Sequence, residues 1–421
     1  MDDIFHMSFR HTYNTIVHKL TTDPDNISVS RKGETLYELH NAQLKVQQAA
    51  DTFFWQRVPS LQYLEREMAF YLSGSRKLED AMQCSKFWEK CSDDGLTINS
   101  NYGAMLFYDT NKEGKTQFQY ALEALKNNLH SKKAVMVLYG PEHAYISNDN
   151  PCTMFIHFHV VSNSVGDNVT ATILHTLNMR VIMRSNDVWF GTTYDVPFFF
   201  VVWEVMRRRL SEELGVNIRR GTYTHQALNL HIYKRDVKKW NPLLKEPELY
   251  VRSQFIDIIN ANVERFYRLS KFDFAHAKKY MDIAWRCSEQ SHCLKKKCGC
   301  VIVHDTLGVV GTGYGGRNNV DCKACGRDQG EVFHGDGCWS VHAEMRAVFE
   351  ATRVAHSRCG ATPEAEKAFF NHCTVYVTHG PCDACLKLLD FVGVRNVVYD
   401  KPYKTDYSHW PNITVTQLTV D

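Results

Sequence analysis

Ser340-Val341-His342-Ala343-Glu344-Met345, followed further on by Gly380-Pro381-Cys382-Asp383-Ala384-Cys385, is the stretch around which the rest of the chain is read. One imidazole and two thiolates are three ligands for a tetrahedral Zn2+. Three protein ligands leave a fourth position open for water, which marks a catalytic rather than a structural metal. The glutamate that follows the histidine at one residue's remove adds a group that moves protons without binding the metal. Cys-x-x-Cys alone is read equally well as a structural zinc or a redox pair, whereas His-x-Glu upstream of Pro-Cys-x-x-Cys is far more specific.

The surroundings agree with a catalytic turn set on regular elements. Cys300-Val301-Ile302-Val303 and Val309 to Gly313 read as short apolar strands joined by a turn, and Thr374 to Thr378 is another strand running into the Cys-x-x-Cys turn. Val341 to Thr352 reads as a helix, and Val394 to Tyr399 as a further strand. Both cysteines then sit at a helix start, where the dipole favours a thiolate. Gly299 to Gly313, the His-Ala-Glu turn, Tyr376 to Cys382 and Gly393 to Tyr399 together resemble the deoxycytidylate deaminase family over residues 273 to 421. The resemblance implies a cytidine deaminase-like α/β/α sandwich, with metal ligands His342, Cys382 and Cys385 and with Glu344 as the catalytic proton carrier. Two departures bear on substrate choice: Arg346 and Gly315 stand where that family usually carries asparagines near the nucleotide.

Composition bounds the remainder. The chain has 421 residues, 44% of them hydrophobic, and a formal charge of +2, enough for two cores. The neutral balance gives no electrostatic footprint for nucleic acid. No apolar run reaches membrane-spanning length, and Met1-Asp2-Asp3 opens without a basic, apolar signal segment, so a cytoplasmic location is expected. Eleven of the fourteen cysteines fall between Cys287 and Cys385, a density that in a reducing compartment points to metal rather than disulfides. Cys322-Lys323-Ala324-Cys325, with Cys293, Cys298, Cys300, His334 and Cys338, offers ligands for a second, structural zinc; ordinary buried thiols are the equal alternative.

Helical patterns at Tyr63 to Leu72, Gln117 to Leu129 and Phe198 to Leu214 alternate with strand-like runs such as Phe155 to Val160, so the first half is also mixed α/β. Trp240 to Lys271, with its Pro-Leu-Leu-Lys-Glu-Pro break and a helical stretch from Phe255 to Leu269, reads as linker and boundary, placing domains at 1–270 and 273–421. Met183 to Gly191 contains Arg184-Ser185, a guanidinium fork and a hydroxyl suited to phosphate. Pro151-Cys152 lies upstream, and cysteine is the best side-chain nucleophile at neutral pH.

The order of these features resembles the thymidylate synthase family over nearly all of residues 8 to 240. The match runs through Arg31 and Gly33; Glu67, Phe70, Leu72 and Gly74; Trp88; Tyr102-Gly103; Pro151-Cys152; Arg184-Ser185-x-Asp187; Gly191; and His231-Ile232-Tyr233. The resemblance implies that Cys152 adds to C6 of a pyrimidine nucleotide, so that C5 attacks the methylene of 5,10-methylenetetrahydrofolate. It implies Glu67 in proton transfer, Arg31, Arg184 and Ser185 on the phosphate, and Lys132 and Lys133 offered to the phosphate by a partner subunit of a homodimer. His231 and Tyr233 fall on the sugar, and Asp187 and Trp88 on the folate.

The departures are informative. Synthases acting on dUMP carry an asparagine that donates to uracil O4 and accepts from N3–H, and the register from Asp187 puts Asp195 there. An ionised carboxylate only accepts, so it faces O4 badly and suits the cytosine amino group, with N3 sharing a proton. Asp195 therefore argues for dCMP, as in the deoxycytidylate hydroxymethylase branch, where water traps the C5 methylene. Thr153 follows the nucleophile in place of a histidine, Cys91 replaces a tryptophan near the folate, and Lys132-Lys133 replaces an arginine pair. The expected protein is a two-domain enzyme, α/β (α+β), that puts a one-carbon unit on dCMP and deaminates a deoxycytidylate. The alternatives are a thymidylate synthase fused to the deaminase that supplies its dUMP, and a chain in which one half is a silent nucleotide-binding or dimerisation module.

Overall fold

The structure is a computed structural model and describes residues 9–30, 33–54, 57–141, 143, 148–165, 172–240, 249–294, 296–316, 340–405, 407, 410 and 412–418. The chain divides into two compact units, Met1–Phe272 and Asp273–Asp421.

The first unit runs α1 (Phe9–Thr22), β1 (Asn26–Val29), β2 (Thr35–Val46), α2 (Leu61–Ser73), α3 (Leu78–Met82), α4 (Tyr102–Phe107), α5 (Gln117–Asn127) and β3 (Val135–Val137). It continues through β4 (Thr153–Val165), β5 (Thr172–Met183), β6 (Asn186–Asp187), α6 (Thr192–Leu214), β7 (Ile218–Tyr233), α7 (Lys234–Val237) and α8 (Leu249–Ser270). Its sheet has the order β1-β2-β7-β5-β4-β3, with β6 alongside β7. All pairings are antiparallel except β5 with β7 and β6 with β7.

Helix α6 is the spine of this core, since Phe198, Phe199, Phe200, Val201, Val202 and Trp203 are all buried in succession. A helix apolar on every side is an interior helix. The helical pattern read from Phe198 onward begins six residues earlier, at Thr192. Pro197 masks that start, because it removes the hydrogen bond to the Thr193 carbonyl; burial of the whole element outweighs the loss. The earlier start puts Asp195 in the first turn.

Helix α8 occupies most of the stretch read as linker. Phe255, Ile259, Val263 and Phe266 at helical spacing are buried, and Phe266 packs on Phe107 (5.2 Å between centroids) and Phe198 (5.9 Å). Phe266→Ala is therefore expected to destabilise the first unit by about 3–5 kcal/mol in urea unfolding of the full chain. A loss under about 1 kcal/mol would put α8 outside this core.

The second unit runs α9 (Phe274–Glu289), β8 (Gly299–His304), β9 (Gly308–Tyr314), α10 (Ala343–Cys359), α11 (Pro363–Asn371), β10 (Cys373–His379), α12 (Asp383–Val392), β11 (Asn396–Lys401) and β12 (Thr414–Gln417). The sheet order is β12-β11-β10-β8-β9, parallel from β12 to β10 and antiparallel beyond. Helix α9 covers one face, where Tyr280 meets Tyr376 at 5.3 Å. Residues of α10, α11 and α12 pack with Cys300, Ile302, Val375 and Val377 on the other, giving the α/β/α sandwich expected. Gly311 and Gly313 of β9 bring α10 in close: a Cβ on either would lie 2.2 or 2.0 Å from the Ala347 or Ala343 carbonyl oxygen. That approach sets the start of α10 against the sheet edge. The helix read as Val341 to Thr352 runs on to Cys359 and ends at Gly360.

Candidate active sites

In the second unit the metal-ligand set is assembled by two helix starts. His342 is the N-cap of α10 and Cys382 the N-cap of α12, with Cys385 in the first turn of α12. His342 Nδ1 lies 3.2 Å from Cys385 Sγ and 3.5 Å from Cys382 Sγ, and the three ligand atoms fall within 4.8 Å of one another. One nitrogen and two sulfurs converging on a common point are a donor set that fits zinc. The Cys385 thiol, hydrogen-bonded to Cys382, and then His342 draw the Cys382 thiol down to about 3; the same hydrogen bond, followed by burial, pushes Cys385 up. A thiolate is thus already favoured at the site. Glu344 is buried in the first turn of α10, and burial raises its carboxyl above the usual range. A buried carboxyl whose proton affinity is raised suits a proton carrier.

Arg346, one of the departures, donates to the Gly316 carbonyl at 2.9 Å and lies over the Tyr314 ring at 4.5 Å. Among the described residues His342, Cys382 and Cys385 form the one such ligand group. Cys322, Cys325, His334 and Cys338, invoked for a second zinc, lie outside the described residues. Cys300 is an ordinary core thiol, and Cys298 Sγ lies 3.7 Å from His379 Nδ1.

In the first unit the candidate residues lie on or beside six elements, α2, β4, β5, β6, α6 and β7. Cys152 immediately precedes β4, and Arg184 follows β5. Arg184 Nε and Nη2 donate to the carbonyls of Pro151 (3.0 Å) and Asn150 (2.8 Å), and Nη2 lies 3.7 Å from Cys152 Sγ. Burial holds the Cys152 thiol above its ordinary value; Arg184 opposes this, while Asp195 and Asp149 add to it. Ser185 Oγ lies 3.4 Å from His231 Nδ1, and His231 packs edge-on to Tyr233. Asp187 Oδ1 accepts from the backbone of Trp189 (2.7 Å) and Phe190 (3.0 Å), and burial raises its carboxyl.

Glu67, on α2, is buried and accepts from Tyr63 Oη at 2.8 Å. Burial first, then the charge of Asp195, pushes it up to about 8, so it carries a proton at neutral pH. Asp195 is partly exposed as a residue, but its carboxyl is shielded enough that burial pushes it up to about 7, against the Asn186 amide and with Asp187. Two carboxyls near neutrality beside a cysteine are the pattern of acid–base chemistry. Trp88 packs on Phe70 at 5.8 Å, one turn along α2 from Glu67. Its buried Nε1 has no hydrogen-bond partner among the described residues, an orphaned donor that fits a polar cofactor such as folate.

Not every expected residue joins this cluster. Lys132 and Lys133 are exposed between α5 and β3, with no hydrogen bond to Arg184 or Ser185 among the described residues, and Arg31 lies outside them. Conversely, Tyr63, Asn186 and His225 touch the two carboxyls or their partners and were not picked out from sequence. Asn186 sits inside the quoted Arg184-to-Asp187 motif, so only its burial distinguishes it.

No helix among the described residues is long and apolar enough to cross a membrane. Residues 11–282 match the thymidylate synthase family, and residues 275–401 match the cytidine and deoxycytidylate deaminase zinc-binding region. The deoxycytidylate deaminase of Schizosaccharomyces pombe is 27% identical over 165 residues, 38% of this chain and 44% of that protein. The deoxycytidylate 5-hydroxymethyltransferase of Enterobacteria phage T4 is 26% identical over 176 residues, 41% of this chain and 68% of that protein. The thymidylate synthase of Haloferax volcanii is 23% identical over 190 residues, 40% of this chain and 50% of that protein. The chain thus spans half or less of the deaminase and of the Haloferax synthase. On the family matches, it belongs to the thymidylate synthase family through its first unit and carries a deoxycytidylate-deaminase-type zinc-binding domain in its second.

Proposed function

We propose that this chain is a bifunctional enzyme of pyrimidine deoxynucleotide metabolism. Its first unit adds a one-carbon unit, hydroxymethyl ahead of methyl, to C5 of dCMP; its second deaminates a deoxycytidylate. The observation that carries the reading is Asp195, a carboxyl beside Cys152 and Glu67 where a dUMP enzyme needs an amide. Cys152 adds to C6 with Arg184 nearby to stabilise its thiolate, and Glu67 handles the proton. Ser185 and Arg184 bind phosphate, His231 and Tyr233 the sugar, and Trp88 and Asp187 the folate, which supplies the one-carbon group when bound. In the second unit, zinc held by His342, Cys382 and Cys385 would supply a Lewis acid that makes water nucleophilic at neutral pH. Glu344 then carries the proton to the base.

A homodimer through the first unit is supported by its open sheet surface. Val137 and Val161 are exposed there, and the His157 and His159 rings stack at 5.7 Å. Such a dimer is also how Lys132 and Lys133 would reach a phosphate.

The test is to incubate the protein with dCMP or dUMP, with and without methylenetetrahydrofolate, and to read product masses. A hydroxymethyl gain on dCMP is expected, and a methyl gain on dUMP alone would restore the thymidylate synthase reading. Cys152→Ser is expected to abolish tritium release from C5-labelled dCMP, by ~10^4-fold or more. Deamination should persist in that variant, and its loss in a folded protein would contradict two independent sites.

A further inference from the structure

The carboxyl of Asp195 favours cytosine in its ionised arrangement, whereas a carboxyl that keeps its proton can pair with uracil. With cytosine the proton passes to N3, leaving a carboxylate that accepts from N3–H and from the amino group. With uracil it must stay on the carboxyl to donate to O4. The question is what favours the ionised arrangement, and the structure holds a candidate behind Asp195.

Asn186 Nδ2 donates to Asp195 Oδ2 at 2.7 Å. Its carbonyl oxygen accepts from the Thr192 hydroxyl, which also lies 3.2 Å from the Asp187 carbonyl, and faces His225 Nε2 at 3.3 Å. His225 Nδ1 in turn lies 2.8 Å from Tyr223 Oη. The phenol is the stronger acid of that pair and donates, which puts the histidine's proton on Nε2, facing Asn186. Asn186, Thr192, His225 and Tyr223 are all buried. Burial depresses His225 to about 3, so the ring is neutral and acts as an oriented dipole rather than a charge. The amide is held at its oxygen by two donors and therefore presents its N–H groups to Asp195.

We propose that Asn186, oriented by Thr192, His225 and Tyr223, is a specificity-determining positioning residue. Its N–H donates to the Asp195 oxygen that shares a proton with cytosine N3, favouring the carboxylate paired with N3-protonated cytosine over the neutral carboxyl that uracil requires. One proton moves from the carboxyl to N3 and nothing else is exchanged. A hydrogen bond to a charged acceptor is roughly twice as strong as one to a neutral acceptor, so the dCMP complex gains more from Asn186 than the dUMP complex. The inference rests on the reading that Asp195 faces the base.

The groups that face Asp195 are Glu67 and Tyr71 from α2, Tyr102 from α4, Cys152, Asp187 from β6, and Tyr223 from β7. None of these donates to it as Asn186 does; Asp187 raises its proton affinity, and Asp195 in turn raises that of Glu67. Because the carboxyl must bring a proton, kcat/KM for dCMP should hold below about 7 and fall as pH rises through that value.

The experiment measures initial rates of C5-tritium release from dCMP and dUMP by the full chain, with methylenetetrahydrofolate, across this pH range. Asn186→Leu is expected to lower the dCMP:dUMP ratio of kcat/KM by ~10-fold, through dCMP, since it removes a charge-assisted hydrogen bond. The alkaline limb should move to higher pH, because the lost donor was lowering the Asp195 pKa. His225→Leu should move both readouts part of the way, while His225→Gln, which can still donate to the Asn186 carbonyl, should keep them near the parent values. That pair carries the test if Asn186→Leu does not fold. An unchanged ratio and pH profile in the folded variants overturns the role of Asn186 and leaves the reading of Asp195 standing. A parent protein that prefers dUMP overturns the reading of Asp195 itself, and the inference with it.

Discussion

Asp195→Asn is expected to turn the first unit from dCMP towards dUMP. An amide at this position carries one acceptor and one donor in fixed order. With Asn186 donating to it, the side-chain oxygen takes the place of Asp195 Oδ2 and accepts from uracil N3–H. The amino group then faces O4. Cytosine meets the opposite arrangement: its N3 finds no proton to share, and its amino group meets another donor. Because each base leaves the other's site with unpaired buried groups, the change in the ratio of kcat/KM should be on the order of 10^4, or about 5 kcal/mol. Arg184, Ser185, His231 and Tyr233 are proposed to contact parts common to both nucleotides, so affinity for deoxynucleotide monophosphates should survive. The measurement is C5-tritium release from both nucleotides by parent and variant. A variant that keeps the dCMP preference would show that Asp195 does not read the base.

The second large effect belongs to the other unit. Glu344→Ala should retain about one equivalent of zinc per chain yet lose deamination by ~10^2–10^4-fold, the usual contribution of a positioned acid–base group. Glu344 lies in the first turn of α10, while the ligand atoms that converge within 4.8 Å come from His342, Cys382 and Cys385. Cys385→Ala, in contrast, should lose metal and activity together, because two ligands hold zinc far less tightly than three. Metal analysis alongside a dCMP deamination assay separates the cases. Normal deamination by Glu344→Ala would remove the proton-carrying role, and zinc-free parent protein would remove the centre altogether.

The metal site was legible in the sequence because its spacing is local. His342 and Glu344 share one helix start, Cys382 and Cys385 another, and strand β10 runs into the second of these turns. Covalent geometry delivers such groups to one place wherever the helix forms. The order of blocks in the first half likewise placed Cys152, Arg184, Ser185, Asp187 and Asp195 along one chain, and their positions beside one another in the fold follow that order. The stretch around Pro197 misled, because a local signal of helix breaking was overridden by burial and α6 starts at Thr192. The helix read from Phe255 to Leu269 is present, extends back to Leu249 and buries Phe255, Ile259, Val263 and Phe266 in the first core.

What tertiary structure alone decided is the chemical state of the groups the sequence named. Burial and neighbouring charge hold Glu67 near 8 and Asp195 near 7, and no spacing along the chain carries that information. The donors behind Asp195 come from Asn186 in β6 and from His225 and Tyr223 in β7, residues that acquire a common purpose only when those strands pair. Sequence thus named the candidate ligands, nucleophile and carboxyls, because residue type and short-range spacing are properties of the chain. Protonation and hydrogen-bond direction depend on dielectric surroundings and on partners far apart in sequence, and these exist only in the packed fold.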